Sequence, residues 1–216
     1  MAKAGFLRFK KLRFYFAWPS AVLLAFYART NNSGFLTGIP VIALGETLRI
    51  WSQGCIQKRT RLATAGPYAY TRNPLYLSNF LIGLGFVLTF SNIFLTALYL
   101  FGFFVLYRGT IMEEEMFLSK EYGNLYKDYL SKVPRFFPNF TSYQNRSDQT
   151  FDMDQVFRHG EHITFLTILL ILASLYLRQA WYQAGGGFYS SHHELFWFSI
   201  FLTTILLVAM FHRKFK

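Results

Sequence analysis

Gly66-Pro67-Tyr68-Ala69-Tyr70-Thr71-Arg72-Asn73-Pro74-Leu75-Tyr76-Leu77 decides how this chain is read. It lies where one long apolar run, 35–55, gives way to another, 75–90, and so at a membrane surface. Three tyrosines, an arginine, an asparagine and two prolines share it. In lipid, every one of its backbone and polar groups would need an internal partner. A segment this rigid, polar and aromatic at a bilayer edge builds a site rather than a linker. Pro67 and Pro74 fix φ locally and push the preceding residue out of helical geometry. A helix is expected to start at Pro74 or Leu75, with Asn73 as its cap.

The surrounding composition fits that placement. The 216 residues are 53% hydrophobic, 20% aromatic and only 15% charged. Apolar runs with almost no charge recur at 14–28, 35–55, 75–90, 93–107, 163–181 and 195–211. The expected fold is therefore all-α: a polytopic transmembrane bundle of about six spans. The runs 14–28 and 93–107 are short against the roughly 20 residues a bilayer needs, and are expected to continue into their flanks. The basic N-terminus precedes a run with no small-residue cleavage site, so that run is read as a retained span. Cys55 is the single cysteine and allows no internal disulfide.

A net charge of +11 would suggest nucleic acid in a soluble protein. Here the distribution explains it. With both termini cytoplasmic, all 22 Lys and Arg except Arg29 and Arg178 fall on the cytoplasmic side. The positive-inside rule sets that orientation, and anionic lipid is the expected contact. No nucleic-acid partner is expected.

Three further constellations stand out. Glu113-Glu114-Glu115 follows the fourth run, and adjacent carboxylates repel one another. At least one calls for a cation or a hydroxyl-bearing ligand; a solvated charge run is the plain alternative. Glu46, Arg49 and Gln53 recur at helical spacing near the cytoplasmic end of the second run, where Glu46 and Arg49 are placed to neutralise each other. His159-Gly160-Glu161-His162 offers two histidines without a third ligand nearby, so it is read as a helix cap and no metal is expected. Leu118, Tyr122, Leu125, Tyr126, Tyr129, Leu130 and Val133 fall on one helical stripe, interrupted by Gly123 and ended by Pro134. This is read as a bent amphipathic helix against the membrane or over the bundle.

These motifs together resemble the isoprenylcysteine carboxyl methyltransferase and phospholipid methyltransferase family of membrane enzymes. Leu48-Arg49-Ile50-Trp51 is similar to its LRxW element, and the 62–77 stretch to its LVTxGPYxYxRHPxYLG signature. Glu114-Glu115-Met116-Phe117-Leu118 resembles EExxL, and the 122–135 stretch the FGxxYxxYxxxVPR tail. The resemblance spans 40–138 within a membrane core of 1–138. Residues 139–160 are expected to be a cytoplasmic linker, and 161–216 an added transmembrane hairpin that packs on the core.

The resemblance implies S-adenosylmethionine as cofactor, held in a cytoplasmic segment. It assigns cofactor contacts to Gln53, Thr60, Arg61, Leu62, Ala63, Tyr68, Asn73, Pro74, Leu75, Tyr76, Glu114 and Glu115. Arg72, Tyr76 and Arg108 are expected to assist methyl transfer to a lipophilic acceptor. A prenylcysteine carboxylate, a phospholipid amine and another small lipid are the acceptors to weigh. Asn73 stands where the family usually has histidine, Ser78 replaces a glycine, and Thr110 occupies the position of a substrate arginine. A nicotinamide-dependent sterol or steroid reductase and a non-enzymatic membrane assembly protein are the competing readings.

Overall fold

The computed structural model describes residues 29–56, 62–145 and 150–183. Among them are five α-helices, one 3-10 turn and no strand. In chain order these are α1 (Asn32–Gly54), the 3-10 turn (Gly66–Ala69), α2 (Pro74–Leu88), α3 (Ile93–Lys132), α4 (Met153–Arg158) and α5 (Glu161–Gln183). The all-helical expectation holds, and the four apolar runs within this range each become a helix.

Six membrane crossings are more than the described residues carry. Only α3 and α5 are long and apolar enough to span a membrane, while α2 is a shorter apolar helix. α1 has 23 residues, but its glycines and its Glu46, Arg49 and Gln53 dilute its apolar character. The runs 14–28 and 195–211 lie outside the described residues, as do Gly185-Gly186-Gly187 and His192-His193.

Glycine brings α1 and α2 together. A Cβ on Gly38 would sit 2.5 Å from the Gly85 carbonyl oxygen, and one on Gly85 would sit 2.7 Å from that of Gly38. A Cβ on Gly45 would lie 2.8 Å from the Ile82 nitrogen. Small residues let two backbones approach this closely, the usual device of helix pairs in lipid. One end of the seam is pinned by Asn31. Its Oδ1 caps α1 by accepting from the Gly34 amide at 2.7 Å, and it also accepts from the Ser91 hydroxyl at 2.9 Å.

α3 returns from a short turn in which Asn92 accepts from the amides of Phe94 and Leu95. Its inner face packs Phe103 against Leu77 and Phe80 of α2. Its outer face exposes Ile93, Phe94, Leu98, Phe101 and Val105, as a lipid-facing surface would. The helical path breaks at Gly123, where φ is 53° and only glycine is unstrained. Beyond this break Tyr126, Tyr129 and Val133 turn inward over Leu62 and Ala69. Leu125, expected on the same stripe, is instead exposed, because the break resets the helical register.

The 139–160 stretch does more than connect. Phe151 covers Gly54, where a Cβ would lie 2.3 Å from the ring. The Asp152 amide donates to the Gly54 carbonyl at 2.9 Å, and α4 follows. α5 then runs antiparallel along α1. Gln179 hydrogen-bonds Asn32, Tyr176 meets Phe35 edge-on at 5.9 Å, and Glu161 reaches Arg49 at the other end.

The seam generates a stability prediction. Gly38→Ala forces α1 and α2 apart and costs about 1–3 kcal/mol, as overpacking does. Gly102→Ala is the control, because nothing lies within 4 Å of a Cβ there. Thermal unfolding in detergent should show a lower midpoint for the first variant and none of that loss for the second.

Candidate functional site

The signature segment is clamped by the chain that follows α3. The Arg72 amide donates to the Pro134 carbonyl at 2.9 Å, and the Thr71 hydroxyl to the Phe136 carbonyl at 2.8 Å. The amides of Asn139 and Tyr143 donate to the carbonyls of Tyr70 and Ala69, each at 2.9 Å. The Tyr129 hydroxyl donates to the Tyr68 carbonyl at 2.6 Å. Backbone groups of an irregular segment thus find partners in a second irregular segment, which the apolar surroundings require.

Asn73 precedes α2, but its side chain makes no capping bond. Its amide nitrogen instead donates to the Arg135 carbonyl at 2.8 Å. The expectation of a side-chain cap is therefore corrected. Asparagine at this position contributes a donor to the clamp, and that role needs no titration.

The clamp aims Arg72 and Tyr76 at α3. The Tyr76 hydroxyl donates to the Glu114 carboxylate at 2.8 Å. The Tyr76 ring meets Tyr107 edge-on at 5.5 Å, and Tyr107 stacks on Phe103 at 4.1 Å. Glu115 takes two cations, Arg72 at 3.4 Å and Arg135 at 2.9 Å. Glu114 and Glu115 are thus dispersed onto different partners, and the solvated charge run does not describe these two. Three buried polar atoms here have no hydrogen-bond partner among the described residues: Arg72 Nε, Thr110 Oγ1 and Glu113 Oε2.

A second polar cluster lies one turn along α2. Arg49 donates through Nε and Nη2 to the Glu161 carboxylate, at 2.5 and 3.0 Å, and through Nη1 to Asn79. The Gln53 amide nitrogen donates to Glu161 at 3.0 Å. Arg49 is therefore neutralised by Glu161 and not by Glu46, whose two buried oxygens have no hydrogen-bond partner among the described residues. Nor is Glu161 merely a helix cap. It is 2% exposed and ion-paired across the bundle.

The remaining expected residues divide. Tyr68 and Pro74 are buried beside the clamp, and Leu75 follows Pro74 in the first turn of α2, with its carbonyl accepting from the Ser78 hydroxyl. Leu62 belongs to the apolar cluster with Tyr126 and Tyr129, and Ala63 follows it half-buried. Arg108 is exposed and does not join Tyr76 and Glu114, because it sits off the Tyr107–Thr110–Glu114 face of α3. Thr60 and Arg61 lie outside the described residues. Sequence reasoning missed Tyr107, Asn79 and Glu161. Asn79 was within reach, being one turn after Tyr76. Glu161 carried no signal beyond a carboxylate beside an apolar run.

Burial pushes the hydroxyls of Tyr68, Tyr126 and Tyr129 well above the usual tyrosine range, so they remain protonated donors at neutral pH. Hydrogen bonds from Lys132 and from the Tyr143 hydroxyl hold Asp128 below the usual carboxylate range. That half-buried carboxylate ties the end of the clamp to α3, with the Tyr143 bond at 2.7 Å.

The donor set suits S-adenosylmethionine. Carboxylates suit ribose hydroxyls or an ammonium group, and the Tyr76 and Tyr107 faces suit an adenine ring or a sulfonium. Arg72 Nε and Thr110 Oγ1 are buried donors that lack partners among the described residues, as a site for a polar ligand would have.

Comparison with known proteins places this helical core. Residues 34–125 match the model of the phospholipid methyltransferase family. The matched stretch contains Arg49, Gln53, Arg72, Tyr76 and Glu114. Among similar proteins, the nickel-cobalt-cadmium resistance protein NccN of Alcaligenes xylosoxydans xylosoxydans is 29% identical over 74% of this chain and 71% of its own. The cobalt-zinc-cadmium resistance protein CzcN of Cupriavidus metallidurans is 28% identical over 63% of this chain and 64% of its own. Protein-S-isoprenylcysteine O-methyltransferase of Schizosaccharomyces pombe is 34% identical over 36% of this chain and 33% of its own. The chain thus spans about two thirds of the resistance proteins and one third of the methyltransferase. No solved structure matches it.

The clamp gives a pH-dependent prediction. Tyrosines whose folded pKa is raised contribute stability that is fully present below their unfolded pKa, about 10, and lost as pH rises beyond it. Tyr129→Phe should cost about 1–3 kcal/mol at pH 7 by leaving the Tyr68 carbonyl unpaired. It should also flatten the loss of stability above about pH 10. Thermal melts from pH 7 to 11 check both effects.

Proposed function

We propose that this protein is a multi-pass membrane methyltransferase that uses S-adenosylmethionine to methylate a lipophilic acceptor at the cytoplasmic face. Both termini are cytoplasmic in this reading, as the distribution of Lys and Arg favours. The observation that carries it is the Tyr76–Glu114 hydrogen bond at 2.8 Å, which joins two separated family motifs into one site. The partnerless polar atoms beside it support a polar ligand there.

When bound, the cofactor would supply an electrophilic methyl group, its bond to sulfur giving way as the bond to the acceptor formed. The chain's residues align and enclose. Glu114 and Tyr76 lock the two helices across the site, with Glu114 retaining acceptor capacity for hydroxyl or ammonium hydrogens. Arg72, restrained by Glu115, presents its Nε to an anionic group. The apolar wall of Phe80, Phe103 and Phe136 excludes water and borders the route for an oily acceptor. A carboxylate acceptor needs no proton removed, whereas an amine or hydroxyl does. Thr110 puts no cation at the position where the family's substrate arginine would stand.

The two bacterial relatives' names speak of metal resistance and name no reaction. Among the described residues, no three His, Cys, Asp or Glu side chains gather as ligands for a metal ion. Methyl transfer to a membrane constituent is the reading we adopt on the Tyr76–Glu114 pairing, with membrane lipids and the acceptor as partners.

Membranes carrying the protein should transfer tritiated methyl from S-adenosylmethionine into extractable lipid or lipidated peptide, and mass spectrometry should identify the gain. Glu114→Gln and Tyr76→Phe should each lower this transfer about tenfold, the loss of one charge-assisted hydrogen bond. Binding of NADPH without S-adenosylmethionine would establish a reductase instead. Binding of neither, with both variants behaving as wild type, would establish an assembly role.

A further inference from the structure

Glu161 lies beyond the stretch that matches the methyltransferase family, yet its buried carboxylate is engaged from across the bundle. It is buried at the first turn of α5 and accepts three hydrogen bonds from two residues of α1. Two come from Arg49, and the third comes from the amide nitrogen of Gln53 at 3.0 Å. Arg49 reaches onward to Asn79 of α2, one helical turn from Tyr76.

Arg49 is not shared with the other carboxylate of this region. Both oxygens of Glu46 are buried and lack a hydrogen-bond partner among the described residues, so of these two carboxylates it is Glu161 that holds the guanidinium and the Gln53 amide. Stability does not account for this arrangement. Two charges taken out of water recover their desolvation cost only with near-ideal geometry, and apolar residues of similar size usually do as well. α5 is also attached to α1 elsewhere, through Gln179 to Asn32 and Tyr176 to Phe35.

We propose that Glu161 is a positioning residue of the cofactor site, acting through Gln53, and that α5 is an active-site element rather than an added hairpin. This rests on the methyltransferase reading, in which Gln53 is a cofactor contact. The Glu161 carboxylate fixes Gln53 by its amide nitrogen, which directs the amide oxygen away from Glu161. Arg49 holds the carboxylate in place and, through Asn79, ties it to the helix that carries Tyr76.

The test is a double-mutant cycle on the full chain in detergent, read as the Kd for labelled S-adenosylmethionine. Glu161→Gln turns an acceptor into a donor facing donors, and should weaken binding about tenfold. Gln53→Ala should weaken it similarly. The double variant should be no weaker than the worse single one, because one residue acts through the other. Gln179→Ala loosens the far end of α5 and should lower the melting temperature without moving the Kd. If Glu161→Gln does not fold, Glu161→Asp keeps the charge, shortens the reach and enters the same cycle. An unchanged Kd in the Glu161 variant, or fold-changes that multiply with Gln53→Ala, overturns the inference and leaves the methyltransferase reading standing. A wild-type protein that binds no S-adenosylmethionine overturns both.

Discussion

One hydrogen bond, from the Tyr76 hydroxyl to the Glu114 carboxylate, closes the site. Tyr76 stands on the first turn of α2 and Glu114 well along α3, so the bond spans a gap between helices. It forms only if both helices arrive at fixed depth and rotation. The rest of the described structure supplies that precision. A polar group in apolar surroundings must be met by another protein group or by a ligand, since water is not freely available there.

Depth is set by glycine. The Gly38–Gly85 contact fixes how closely α1 and α2 approach, and therefore where Arg49 meets Asn79. Rotation is set by the clamp. Hydrogen bonds between residues 69–73 and the chain after α3 hold Pro74 at the start of its helix, with Arg72 and Tyr76 facing α3. The break at Gly123 lets α3 fold its own end back over the segment it clamps. Each device is local, but together they preorganise a set of donors and acceptors before any ligand arrives. That preorganisation is where a group-transfer enzyme gains most of its advantage.

Much of this was written in the chain. Apolar runs and turn residues gave three helices nearly to their ends and the start of α3, because hydrophobic periodicity is a local property. Gly123 and Pro134 announced the bend and the stop of α3, since both act on their own backbone. The family motifs, read in order, brought Tyr76 and Glu114 onto the page before their separation was known. What escaped was non-local. Asn73 looked like a cap, because nothing in its neighbours reveals that the Arg135 carbonyl passes within reach. Arg49 had a carboxylate three residues away and took one 112 positions distant. Arg108 lay near the right place in sequence but on the wrong face of its helix. Leu125 fitted the stripe until the Gly123 backbone shifted the register.

The central claim is a place: the junction of α2 and α3 marked by Tyr76, Tyr107 and Glu114, which we propose receives the methyl donor. Ultraviolet crosslinking of methyl-labelled S-adenosylmethionine to the purified protein, followed by peptide mapping, tests it directly. The account predicts label on peptides that contain Tyr76 or residues 107–115, and its loss under competition by excess unlabelled cofactor. Label confined to other parts of the chain, or not competed away, would contradict it.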